Sequence, residues 1–184
     1  MTGRKAYRAW LKEDWGKLIK SLYLTESQEH SMRSRWLDQV LWMDGKADRT
    51  QTFYYILRMT TIIGGVTIPA LVSLDPKQVF GINVEGATFS VSLLVAISAA
   101  VEGFFRFGER WRHYRHTAEL LKSEGWKFLQ LSTKPYRKAG IHEEAYPEFA
   151  RRVEHILRRE EEIFMTDVAQ ERGEEDDAND DETH

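Results

Sequence analysis

The chain has 184 residues, a formal net charge of -3 and no cysteine. This is the size of one domain, and the absence of cysteine excludes disulfides, thiolate metal sites and a cysteine nucleophile. A slightly acidic chain also lacks the overall basic field that is typical of nucleic-acid binding, so we expect no nucleic-acid partner.

The N-terminal region, residues 1–52, reads as charged amphipathic helices. Apolar residues recur at spacings of three and four over residues 4–23, which predicts a first helix. Thr25 or Ser27 is a candidate N-cap for a second helix. Because the second helix contains no proline, it can continue into the apolar sequence that follows. No apolar stretch comes after the basic start, so a signal peptide is not indicated.

Two apolar blocks follow, FYYILRMTTIIGGVTIPALVSL at residues 53–74 and ATFSVSLLVAISAAVEGFF at residues 87–105. Arg58 is the one charge in the first block, and Glu102 is the one charge in the second. A membrane-spanning helix needs roughly 20 apolar residues, and each block reaches that length if its charge extends toward the interface. The alternative is a hairpin buried in a soluble bundle. The pairing of the blocks and the charge of their flanks favour the membrane.

The flanking charges predict the orientation of this hairpin, residues 53–107. Cytoplasmic flanks of spanning helices are enriched in lysine and arginine. The loop between the two blocks has Lys77 as its single basic residue. We therefore expect a multi-pass protein of the cell inner membrane with both termini in the cytoplasm. Basic residues on the two outer flanks are Arg4, Lys5, Arg8, Lys12, Lys17, Lys20, Arg33, Arg35, Lys46, Arg49, Arg106, Arg110, Arg112 and Arg115.

Small residues and a proline indicate how the spans pack, either with each other or with a helix of a neighbouring copy. Glycine lets another helix approach closely, and a proline removes one backbone hydrogen bond, which predicts a kink. Serine and threonine in the blocks could line a pore or bond back to their own helix, and spacing leaves both open. The residues predicted for packing and kinking are Gly64, Gly65 and Pro69 in the first block and Ser92, Ala96, Ala99 and Gly103 in the second.

Arg58 and Glu102 lie at similar depth in an antiparallel hairpin. An isolated charge near the membrane core costs on the order of 3 kcal/mol on insertion scales, so a bridge between the two would offset part of that cost. We expect such a bridge. The alternatives are that Arg58 extends to the interface unaided and that Glu102 pairs with Arg106 one turn further on.

The C-terminal region divides into a cytoplasmic helical part, residues 108–168, and an acidic tail, residues 169–184, that we expect to be disordered. The helical pattern continues from Arg106 to Leu131 and is expected to end at Pro135, with another helix from about His142 to Val168.

Glu109, His113 and His116 have a spacing that could bind a metal ion. No further ligands stand at fixed spacing, so a solvated or salt-bridged helix face is the better interpretation. No catalytic signature appears. We therefore expect no metal, no cofactor and no enzymatic activity.

Three segments in order carry a resemblance to a known family: RWLDQVLWM at Arg35–Met43, RMTTIIGGVTIPAL at Arg58–Leu71 and ERWRHYRHTAELLKSEGW at Glu109–Trp126. They resemble a bacterial domain with two spanning helices that is similar to the SLATT superfamily, named for membrane effectors of nucleotide-signalling systems. The resemblance covers about residues 30–165. It implies a pore that breaches the membrane when a nucleotide-sensing partner is triggered, and it carries over no catalytic residues.

The sequence thus predicts an all-α protein, with a two-helix transmembrane hairpin and long cytoplasmic helices that form a bundle. Two helices cannot enclose a water-filled path, so a pore requires several copies, and we expect a homo-oligomer in the lipid bilayer. The alternative is a non-conducting membrane scaffold or sensor that binds partners through its cytoplasmic helices.

Overall fold

The structure, a computed structural model, describes residues 2–73, 84–159 and 162. All regular secondary structure in these residues is helical, which confirms the predicted all-α class. The predicted acidic tail lies outside the described residues, as do most of the loop between the apolar blocks and the end of the helix expected to reach Val168.

Seven α-helices and one π-helical segment are described. Thr25 caps α2 as predicted, since its hydroxyl accepts the backbone N–H of Gln28 while the Gln28 side chain accepts the backbone N–H of Thr25. The helix then runs without a break to Val72, in agreement with the absence of proline before Pro69. The elements are α1 (Thr2–Ser21), α2 (Glu26–Ser31), the π-helical segment (Met32–Leu37), α3 (Asp38–Val72), α4 (Val84–Phe105), α5 (Phe107–Leu129), α6 (Lys134–Ala139) and α7 (142–159).

The chain divides into two compact units. Residues 1–43 and 116–184 form the first, called here the helical unit, and residues 44–115 form the second, the hairpin unit. The helical unit holds the hydrophobic core, which α1, the π-helical segment, α5, α6 and α7 build together. The helical unit thus provides the bundle that the sequence predicted.

Trp36, in the π-helical segment, lies at the centre of this core and is almost fully buried. One face of its indole stacks on Trp15 of α1, with ring centroids 4.9 Å apart and planes 6° apart. Phe149 of α7 meets it edge-on at 5.8 Å. The indole N–H donates to the backbone carbonyl of Leu121 at 2.9 Å, which satisfies the one polar group of a large buried ring.

The sequence analysis expected the helical pattern to continue through Arg106, but the second apolar helix is interrupted there. α4 ends at Phe105, and Arg106 has φ of 47°, a left-handed conformation that terminates a helix. The Arg106 N–H still donates to the Glu102 carbonyl at 2.9 Å, and α5 begins at the next residue. Apolar periodicity passes through such a break because only one residue leaves the helical conformation.

Pro135 does not end α5, contrary to prediction. α5 ends at Leu129, and Leu131 adopts φ of 48°, where the Ser132 N–H donates back to the Lys127 carbonyl at 3.0 Å. This pair of features is a Schellman termination, here with leucine at the position that usually holds glycine. Pro135 instead stands in the first turn of α6, where a missing N–H is tolerated.

Candidate membrane-spanning hairpin

Two helices of the described chain are long and apolar enough to cross a membrane, namely Glu26–Val72 and Val84–Phe105. Little of their apolar surface is covered by the chain itself. Only 6% of the most apolar window of the first and 11% of that of the second are buried. The exposed large side chains include Ile56, Met59, Ile62, Ile63, Val66, Val72, Phe89, Leu93, Leu94 and Ile97.

Gly64 is a point of close contact between α3 and α4. It is buried, and a β-carbon built on it would overlap the Val95 side chain, with Val91 next to it. On α4 the residues turned inward recur at spacings of three and four, and these are Val84, Val91, Val95 and Ser98. A groove at glycine that receives a β-branched side chain is a typical way for two apolar helices to approach.

A second contact, between Tyr54 and Gly108, lies at the other end of the hairpin unit. A β-carbon on Gly108 would come within 2.9 Å of the Tyr54 ring, so this glycine makes room for the ring. The pairs Gly64–Val95 and Tyr54–Gly108 fix the antiparallel register. Sequence reasoning missed Gly108, because it lies outside the two apolar blocks and no partner ring is evident from spacing.

The predicted stripe of small residues on α4 does not make the contact with α3. Ala96, Ala99 and Gly103 are exposed, Ser92 is half-buried, and nothing lies within 4 Å of a β-carbon placed on Gly103. The helix period explains this, because the stripe is about a quarter of a turn from the side on which Val91 and Val95 face α3. The stripe remains uncovered in the single chain.

On α3, the neighbouring glycines have different surroundings. Gly64 is buried against Val95, whereas nothing lies within 4 Å of a β-carbon placed on Gly65. Pro69 lies within α3, which continues to Val72. Since Pro69 has no N–H, the carbonyl of Gly65 four residues earlier loses its helical donor. Of the three residues singled out in this block, Gly64 is the one that packs against α4.

The hydroxyl groups in the two blocks bond back to their own helices. Thr60, Thr61 and Thr67 donate to the carbonyls four residues earlier at 2.9, 3.0 and 2.8 Å, and Ser90 donates to Gly86 at 2.8 Å. Such bonds satisfy the hydroxyls without a partner helix or water. The spacing left open whether such hydroxyls line a pore or bond back to their own helix, and at these four residues they bond back.

Arg58 and Glu102 lie at similar levels, but the part of the chain that the structure describes contains no ion pair between them. Arg58 is between Tyr54 and Gly64, and Glu102 is between their opposite residues, Val95 and Gly108. The Arg58 side chain is exposed and Glu102 is half-buried. Equal depth is therefore not sufficient for pairing, because the two side chains leave their helices in different directions. Arg106 does not pair with Glu102 either, but with Glu109 at 2.6 Å.

A buried ion cluster that the sequence analysis missed joins α5 to the beginning of α3 within the hairpin unit. The two terminal nitrogens of Arg115 bind Asp44 at 2.6 Å and Asp48 at 2.7 Å. Both carboxylates are buried, with residue exposures of 4% and 9%. The sequence does show two aspartates four residues apart, which share one helix face. Nothing in the sequence connects that face to an arginine 67 residues after Asp48.

No metal site is formed by the described residues, among which no three His, Cys, Asp or Glu side chains converge. Glu109, the carboxylate of the candidate trio, is bound to Arg106. The residues that could have held a metal ion are thus in part engaged in a helix-surface salt bridge.

Within the helical unit, Glu124 of α5 is the most constrained acidic side chain. It is buried and accepts a hydrogen bond from the Tyr136 hydroxyl at 2.5 Å, with Lys127 at 3.1 Å and Arg152 at 3.3 Å. Burial by itself would raise the pKa of Glu124, but the bonds from Tyr136 and Lys127 and the nearby positive charges hold it below its ordinary value of 4.5. Burial and the same bond raise the pKa of Tyr136.

A cleft of about 660 Å³ opens between α1 and α5 of the helical unit. Its aromatic walls are exposed: Tyr7 is 51%, Trp10 56% and Trp126 45% accessible to solvent. Both of its lysines already bind carboxylates, Lys122 to Glu119 and Lys127 to Glu124. The walls of this cleft are suited to contact with apolar or aromatic groups.

No curated protein and no solved structure matches the chain. One family does match it, over residues 38–144, which include α3, α4, α5 and the hairpin contacts described above. Since this match covers more than half of the chain, the protein belongs to the family described as "Protein of unknown function (DUF4231)".

Proposed function

We propose that the protein crosses the cell inner membrane twice, with both termini in the cytoplasm, and assembles into an oligomeric pore of the SLATT type. α3, from about residue 53, and α4 are the spans. The helical unit is the cytoplasmic part, and the loop between the spans faces outward.

The observation that carries the proposal is the exposure of the apolar helices. Val66 is 72% exposed and Phe89 69%, and such side chains continue around both helices. In water, each large apolar side chain left uncovered forgoes about 1.5–3 kcal/mol of burial energy. A soluble bundle would have to cover these faces, whereas a bilayer covers them without further protein.

Assembly is supported by the uncovered small residues of α4. Ala96, Ala99 and Gly103 present a face without large side chains, which lets another helix come close. Because one hairpin cannot enclose a water-filled path, conduction requires several copies around an axis. The resemblance of three segments to SLATT-type domains favours a pore among the membrane functions open to a hairpin.

The second candidate, a non-conducting scaffold or sensor, is favoured by the cleft of the helical unit. Its exposed Tyr7, Trp10 and Trp126 are available to a cytoplasmic partner. Exposed aromatic residues of this kind are enriched at protein interfaces.

Membrane insertion and orientation are tested together. The purified protein should float with phosphatidylcholine liposomes and stay bound after an alkaline wash. Because the native chain has no cysteine, one cysteine introduced at Asn83 should react with an impermeant reagent on intact cells, and one at Ser132 should react only after lysis. The reverse labelling pattern would overturn the orientation, and recovery in the soluble fraction would overturn insertion.

Pore and scaffold are separated by ion flux from liposomes and by the mass of the detergent-solubilised particle. We expect flux and a particle of several chains for the wild type, and Ala96→Leu should reduce both. Ser90→Leu is the matched control, because it enlarges an exposed small residue on another side of α4. An inserted protein without flux supports the scaffold, and equal effects of the two variants would exclude the small stripe as the contact.

A further inference from the structure

Three arginines of the hairpin unit, Arg49, Arg58 and Arg110, are exposed and form neither an ion pair nor a side-chain hydrogen bond within the described residues. Arg112, also exposed, donates to the carbonyl of Gly108. Other arginines of the same unit are engaged. Arg106 binds Glu109, and Arg115 binds two aspartates. The three unpaired guanidinium groups are therefore free to bind an external anion.

The carboxylates at this end of the hairpin unit are largely committed. Asp44 and Asp48 are buried against Arg115, and Glu109 is bound to Arg106. Glu102 is half-buried, and within the described part of the chain it forms no ion pair. The exposed charge here is thus mainly positive, although the whole chain carries -3.

In the proposed topology, the register puts the unpaired arginines near the cytoplasmic membrane boundary. Tyr54 is opposite Gly108, so Arg58 and Arg110 lie on opposite helices within a few residues of that level, and Arg49 lies beyond it on the cytoplasmic side. Exposed aromatic rings accompany them: Phe53 is 57%, Tyr55 51% and Phe104 81% exposed. Aromatic rings concentrate at the level of lipid headgroups, where the ring body is apolar and the surroundings are polar.

We propose that Arg49, Arg58 and Arg110 each bind the phosphate-bearing headgroup of an anionic phospholipid in the cytoplasmic leaflet, with Arg49 and Arg58 on opposite sides of α3. The inference rests on the proposed membrane insertion and adds a chemical preference to it. Arginine suits this ligand because its planar guanidinium can bind two phosphate oxygens at once. A basic residue near an anionic surface strengthens binding by about fivefold, so removal of all three should weaken the anionic preference about a hundredfold.

The test compares thermal unfolding of the full chain in neutral detergent with added phosphatidylcholine or phosphatidylglycerol. The wild type should unfold at a higher temperature with phosphatidylglycerol than with phosphatidylcholine, and high salt should remove this difference. The triple variant Arg49→Gln, Arg58→Gln, Arg110→Gln should lose the difference while unfolding normally with phosphatidylcholine. The matched control is Lys134→Gln, Arg137→Gln, Lys138→Gln, which removes three exposed charges from α6 of the helical unit and should keep the difference.

Several results would overturn the inference. These are no lipid difference in the wild type, an undiminished difference in the arginine triple variant, an equal loss in the α6 control, or an equal rise with inorganic phosphate alone. Flotation with pure phosphatidylcholine liposomes separates this failure from that of the proposed function. A protein that floats but shows no preference for anionic lipid refutes only the binding of anionic headgroups. If the triple variant does not fold, the salt response of the wild type and the three single variants decide the question.

Discussion

The indole of Trp36 lies directly against the backbone of α5 at Gly125, where a β-carbon would overlap the ring. Its N–H reaches the carbonyl of Leu121, four residues before that glycine. The missing side chain thus lets the ring come close enough to α5 to bond to its backbone. Trp36 belongs to the RWLDQVLWM segment and Gly125 to the ERWRHYRHTAELLKSEGW segment, so the contact joins two distant parts of the family resemblance.

Gly125→Ala should destabilise the helical unit. The added methyl group has no space because Trp36 is itself fixed between Trp15 and Phe149, and overpacking of this kind costs about 1–3 kcal/mol. Gly16→Ala is the matched control, since a β-carbon there meets nothing within 4 Å and alanine favours a helix by about 1 kcal/mol. Thermal unfolding in detergent should move down for the first variant and slightly up for the second, and equal shifts would refute the contact.

The two adjacent glycines of α3 should respond in opposite directions. Gly64→Ala should lower the unfolding midpoint because Val95 is short, branched and in the way, whereas Gly65→Ala should leave it unchanged or raise it. Adding Val95→Ala to Gly64→Ala should recover much of the loss, because it removes the colliding methyl groups. If the effects of Gly64→Ala and Val95→Ala simply add, the helices do not meet at this point.

Arg115→Gln should be among the more damaging surface-accessible substitutions. It leaves Asp44 and Asp48 buried and close together without their shared cation. Removal of one partner from a buried pair costs about 3–5 kcal/mol, and partial solvent access of Arg115 lowers our expectation to about 2 kcal/mol. Arg112→Gln is the control, because within the described residues the Arg112 side chain bonds to the carbonyl of Gly108 in its own helix and to no carboxylate. Comparable unfolding midpoints for the two variants would show that the cluster does not stabilise the unit.

The all-α class, the N-cap at Thr25 and the continuity of the helix as far as Pro69 followed from local signals, namely apolar spacing, turn residues and the absence of an earlier proline. The close contacts between helices could not be predicted from these local signals. Gly64 was singled out, but spacing did not identify its partner, which proved to be Val95. Arg106 and Leu131 break helices without glycine or proline, and such breaks depend on tertiary packing that no local pattern reports.

The bond between Tyr136 and Glu124 should make the helical unit sensitive to pH in a defined way. The folded state holds the pKa of Glu124 below 4.5, so its contribution to stability is present above that pH and is lost as the pH falls through the lower, folded value. For Tyr136 the folded pKa is raised above 10.0, so its contribution is present below that pH and is lost as the pH rises through the folded value.

Tyr136→Phe should therefore lower the free energy of unfolding at neutral pH by about 1–3 kcal/mol, because it leaves a buried carboxylate short of one donor. It should also flatten the acid limb, since the pKa of Glu124 then moves closer to its unfolded value, and remove the tyrosine contribution at alkaline pH. Tyr146→Phe is the matched control: Tyr146 is buried in the same core, and its hydroxyl has no hydrogen-bond partner within the described residues. Unfolding followed by tryptophan fluorescence from acid to alkaline pH checks all three expectations. If Tyr136→Phe and Tyr146→Phe give superimposable profiles, the hydroxyl of Tyr136 does not hold Glu124 in its charged state, and Lys127 and Arg152 are sufficient to do so.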